Sequence, residues 1–69
     1  MRISKFTEFQ LEYFRKNCNF VGSEKELFQL RSEGVPLEEI AERLGYTYDG
    51  IKKVSSRVTN KIIMVLENT

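Results

Sequence analysis

Apolar residues in this chain recur three and four positions apart, the spacing of one helix face, and the pattern predicts four or five helices and no strand. Phe6, Phe9, Tyr13 and Phe14 open the series. Thr7 and Gln10 have the spacing of a capping box inside a hydrophobic staple of Phe6 and Leu11, which starts a first helix near Thr7. It is expected to run to about Lys16 and to end within Asn17 to Asn19. Ser23 and Glu26 offer a second capping box for a helix that turns Leu27, Phe28 and Leu30 inward and closes at Gly34. Val35 and Pro36 form the connector, with Pro36 suited to the first turn of a third helix, where its missing N–H costs nothing. Ile40, Ala41 and Leu44 make that helix's inner face. Ile51, Val54, Val58, Ile62 and Val65 carry helical spacing onward to the C-terminus. Thr59 and Asn60 are poor helix formers, so this last segment reads as one bent helix or as two.

The third and fourth segments meet in a pattern with its own meaning. Ala41 is small where a second helix must cross closely, and Gly45 permits the left-handed backbone that ends a helix. Thr47 then restarts the chain as an N-cap, and Asp49 in the next turn suits the positive end of the helix dipole. Opposite the apolar stripe stand Lys52, Lys53, Ser56 and Arg57. A second helix packed on the first by its inner stripe, with a cationic and hydroxylated outer face, is what docking in a DNA major groove requires. The expected architecture is an all-α bundle of four to five helices: one domain over 1–69, a helix-turn-helix with an extra N-terminal helix over about 7–16 and a core over about 20–66.

At 69 residues and 41% hydrophobic, with five Phe and three Tyr, the chain has enough apolar material for one small core. A core of that size is marginal, which makes association with a second copy an expectation. A single cysteine, Cys18, excludes an intrachain disulfide and reads as a small buried hydrophobe. No secretory signal and no apolar run near eighteen residues is visible, so a cytoplasmic chain with no membrane partner is expected. The absence of His removes the commonest general base and metal ligand. No enzyme, cofactor or metal site is therefore expected.

The net charge of +1 is unevenly distributed. Residues 1 to 46 hold seven Lys or Arg against eight Asp or Glu, whereas 47 to 69 hold four against two. Lys52, Lys53, Arg57 and Lys61 lie in a stretch without an acid, so the local field is positive although the domain is nearly neutral.

The chain resembles the LuxR/FixJ-type (GerE-like) DNA-binding domain and, more distantly, the fourth region of bacterial sigma factors. The resemblance runs ungapped from Phe20 to about Ile62. It rests on Phe20, Glu24, Glu26, Leu27, Phe28, Leu30, Gly34, Glu39, Ile40, Ala41, Leu44, Tyr46, Thr47, Ile51 and Lys52 standing at the family's positions. It implies four helices, a recognition helix opening at Thr47 to Tyr48, and Lys52 reaching DNA. Val21, Pro36, Gly50 and Val54 depart from the family pattern, and the last two fall in the recognition helix itself. The family's base contacts are not carried over to them.

These observations converge on a sequence-specific transcription regulator that binds double-stranded DNA as a homodimer. Lys53, Arg57, Lys61 and the N-terminus of the recognition helix are expected to hold phosphates, and Thr47, Tyr48, Asp49, Lys52 and Ser56 to face base edges. Tyr46 is expected in the core. The Phe6, Phe9, Tyr13, Phe14 cluster is expected to pack over the other helices or to form a dimer surface, for which Ile62 to Leu66 is the other candidate. The alternative is a protein-interaction module that docks on RNA polymerase or another regulator through Glu38, Glu39 and Glu42.

Overall fold

The structure, a computed structural model, describes residues 2–68; Met1 and Thr69, the ends of the expected 1–69 span, lie outside it. Four α-helices follow a single 3-10 turn at Ile3–Lys5: α1 (Glu8–Asn17), α2 (Ser23–Ser32), α3 (Leu37–Leu44) and α4 (Tyr48–Glu67). The described residues contain no strand.

Helix boundaries follow local hydrogen-bond chemistry. Thr7 caps α1 with both halves of the capping box present: its hydroxyl accepts from the Gln10 N–H at 3.2 Å and the Gln10 side chain accepts from the Thr7 N–H at 2.9 Å. The second box is not formed. α2 starts at Ser23 after Gly22 in a positive-φ conformation, so Ser23 is the first helical residue rather than the cap. Its hydroxyl turns to the Tyr46 hydroxyl, and Glu24, not Glu26, reaches back to accept from the Val21 N–H at 3.2 Å. At the end of α2, Gly34 adopts φ 86°. Its N–H donates to the Arg31 carbonyl and the next N–H, of Val35, to the Leu30 carbonyl, a Schellman closure. Pro36 stands one residue earlier than expected. It is the N-cap of α3, extended at ψ 150°, and its carbonyl accepts from Glu39 and Ile40.

One core joins all the elements. Ile3, Leu11, Phe14, Cys18, Leu27, Phe28, Ile40, Ala41, Ile51, Val54, Val58 and Ile62 are buried together. α2 and α3 both lie against α4, and α1 closes over it. α4 runs unbroken through Thr59 and Asn60, because Val58 and Ile62 are both fully buried across that junction and the packing outweighs the local propensity. At about 1.5 Å per residue, its 20 residues span about 30 Å, close to the 34 Å long axis of the molecule. Two side chains depart from expectation. Phe9 is exposed, since it lies two positions from Leu11 and so on the side of α1 away from Leu11, Phe14 and Cys18. Tyr46 also reaches solvent, held over α2 by its bond to Ser23 instead of entering the core.

Candidate nucleic-acid interface

The candidate interface is built on the turn between α3 and α4. Gly45 adopts φ 76° and ψ 30°, a conformation that costs an L side chain roughly 1 to 2 kcal/mol. This lets the Tyr46 N–H return to the Ala41 carbonyl at 2.8 Å while the Gly45 N–H meets that of Glu42 at 3.4 Å, a second Schellman closure. Ala41 is buried, as expected for a small residue at the helix crossing. Thr47 is the N-cap of α4: its hydroxyl accepts from the Gly50 N–H at 3.1 Å. Gly50 has a structural reason to lack a side chain. A Cβ there would lie 3.1 Å from that capping hydroxyl and 3.5 Å from the Tyr46 ring.

With Ile51, Val54, Val58 and Ile62 turned inward, α4 presents Tyr48, Asp49, Lys52, Lys53, Ser56 and Arg57 to solvent. Asn60, four residues beyond Ser56, extends this face and was not singled out by its sequence position. Lys52 is pre-positioned. Its ammonium lies 3.7 Å from the Asp49 carboxylate and 5.1 Å from the centre of the Tyr48 ring. Lys53, Ser56 and Arg57 make no side-chain hydrogen bond or ion pair among the described residues. The Lys53 and Arg57 charges are therefore not committed to an ion pair, although Arg57 lies near enough to Glu24 to act on its carboxyl.

Lys61 does not join them. Its ammonium donates to the Glu24 carboxylate at 2.5 Å and to the Asn19 carbonyl at 2.6 Å, so the side chain expected on phosphate is instead committed inside the domain. Glu24 is buried, and the hydrogen bond from Lys61 holds its carboxyl below the ordinary glutamate range. Burial opposes that shift; the Val21 N–H and the charges of Lys61 and Arg57 reinforce it. Burial also raises the Cys18 thiol, with the Lys61 charge acting in the opposite sense. The Glu24–Lys61 pairing has a signal in the sequence. Glu24 lies three and four residues before Leu27 and Phe28, on the inward stripe of α2, and an acid there requires a cation.

The acids of α3 are arranged differently from one another. Glu39 pairs with Arg43 at 2.5 Å, one helical turn away. Glu38 and Glu42 instead line a shallow cleft of about 580 Å³ with Ala41, Tyr46 and Tyr48. No described helix is long and apolar enough to cross a membrane. The chain matches no protein-family model, and neither the curated proteins nor the solved structures contain a match to it.

Proposed function

We infer that this chain is a sequence-specific DNA-binding transcription regulator of the helix-turn-helix kind, acting without chemistry, in keeping with its resemblance to the LuxR/FixJ-type domains. One observation carries the reading. A Schellman-closed α3 is followed by a Thr47-capped α4 whose solvent face bears Lys53, Ser56 and Arg57, none of them in a side-chain hydrogen bond or ion pair among the described residues. In this reading α4 enters the major groove. Lys53, Arg57 and the N-terminus of α4 hold phosphates, while Thr47, Tyr48, Asp49, Lys52 and Ser56 face base edges. Thr47 retains its hydroxyl proton as a donor while its oxygen caps the helix. Asp49 steers Lys52 and is favoured by the positive end of the helix dipole. Lys61 is left out of the phosphate set because of its pairing with Glu24.

A nearly neutral domain neutralises few phosphates, so the regulator acts as a homodimer on two half-sites. Ile63 and Met64, exposed toward the end of α4, and Phe9 on α1 supply apolar surface for that contact. A cytoplasmic location belongs to the same proposal. Electrophoretic mobility of random duplex DNA at low salt tests it, with retention that declines steeply as salt is added. No retention at micromolar protein would favour docking on RNA polymerase or another regulator, a reading that the Glu38, Glu42, Tyr46 and Tyr48 cleft supports.

A further inference from the structure

A groove of about 540 Å³ lies between the C-terminal end of α1 and α2, and it shares no residue with the face assigned to DNA. Its lining includes Arg15, Lys16, Phe20, Lys25, Glu26 and Phe28, three cations against one acid, in a part of the chain that otherwise has an excess of acid. The floor is aromatic. Phe20, half-buried, stacks on the buried Phe28 with ring centres 4.8 Å apart, and the Arg15 guanidinium lies 6.0 Å from the Phe28 centre. Arg15 is oriented by Glu12 and Gln29, at 3.2 and 3.1 Å. Lys16 and Lys25 are exposed and make no ion pair among the described residues.

We propose that this groove is a docking site for an acidic segment of a partner protein, one that places an apolar side chain on Phe20 and carboxylates on Lys16 and Lys25. Charge complementarity selects the occupant. The two unpaired ammonium groups stand beside a ring floor, so a chain bearing both carboxylate and apolar side chains satisfies both. Duplex phosphates satisfy only one of them, because they lie on a convex surface and bring no apolar atoms to a concave floor. Glu26 at the groove's edge adds selectivity by repelling a carboxylate placed out of register. The groove operates alongside the DNA face and independently of it.

The probe is a short fluorescein-labelled peptide with Asp and Glu flanking a central Phe, followed by fluorescence anisotropy and by amide NMR shifts of the protein. A matched peptide carrying Asn and Gln in place of the acids is the reference. Lys16→Glu and Lys25→Glu are each expected to weaken binding of the acidic peptide by about fivefold, the effect of exchanging one exposed attraction for a repulsion. Lys5→Glu, an equal charge change outside the groove, is expected to leave it unaltered, with shifts centred on Asn17, Asn19 and Gln29. Arg57→Ala is expected to retain the peptide even where it loses DNA, which separates this site from the proposed DNA face. Equal losses at Lys5, equal binding of the uncharged peptide, displacement of the peptide by duplex DNA, or no binding up to about 1 mM peptide would each overturn the proposal.

Discussion

The pair formed by Glu24 and Lys61 shows how one residue changes meaning between sequence and structure. By spacing, Lys61 continues the cationic face of Lys53 and Arg57; in the fold it ties α4 to Asn19 in the loop before α2 and to Glu24 in the first turn of α2. Lys61→Ala would leave a buried carboxylate without its cation, and a loss of about 1 to 3 kcal/mol in urea unfolding is expected, moderated because Lys61 itself is partly exposed. The pair also gives stability a pH dependence. The folded-state pKa of Glu24 is lowered, so its contribution is complete above the ordinary glutamate pKa of 4.5 and is lost as pH falls through the lower folded value. Unfolding midpoints measured across that acidic range should fall more steeply in the parent than in Glu24→Gln. Equal slopes would remove the pair from the acid response. At the proposed DNA face, Lys52 and Arg57 should differ in kind. Arg57→Ala is expected to reduce the slope of log affinity against log salt by about 1 on every sequence. Lys52→Ala is expected to cost about 1 to 3 kcal/mol on the preferred site only. Binding isotherms on preferred and random duplexes at several salt concentrations separate the two.

At the scale of elements, the α3–turn–α4 unit depends on two small residues. Ala41→Leu places added bulk in the helix crossing and is expected to cost about 1 to 3 kcal/mol, read as a lowered thermal midpoint. Gly45→Ala meets open space, so its expected loss of about 1 kcal/mol would come from the left-handed backbone alone. An unchanged midpoint for Ala41→Leu would show that the crossing is not closely packed. These features were legible in the sequence because they are local: Thr7 with Gln10, Gly34, Gly45 and Thr47 act through partners within five residues. Ile40, Ile51, Val54, Val58 and Ile62 were legible through period alone, and all are buried. What local pattern missed was set by distant partners. Ser23 of α2 meets Tyr46 in the turn before α4 and Lys61 of α4 meets Glu24 of α2, and neither short-range spacing nor residue type discloses which hydroxyl or cation will be engaged. Continuity through Thr59 and Asn60 likewise required knowing that both flanking turns bury their apolar residues in one core.

At the scale of the whole molecule, the net charge of +1 and the uneven placement of that charge act together. A single copy presents one short cationic helix face, which favours weak, salt-sensitive contact; two copies related by a twofold axis would present two such faces to successive half-sites. Sedimentation equilibrium at high micromolar concentration should therefore report a species twice the 8.1 kDa chain mass. A clean monomer there would contradict the assembly without touching the fold. Phe9→Ser and Met64→Ser, both at exposed positions, should return the protein to monomer if they lie in that contact, with helix content unchanged. The central claim is that the outer face of α4 contacts DNA, and its most direct measurement compares duplex affinity at low salt for the parent, Arg57→Ala and Lys5→Ala. All three proteins should fold alike, since Arg57 and Lys5 are both exposed. The account predicts that the parent and Lys5→Ala bind equally and lose affinity steeply with salt, while Arg57→Ala binds more weakly with a salt slope lower by about 1. Equal affinity for all three proteins, or no binding by the parent at micromolar concentration, would contradict it.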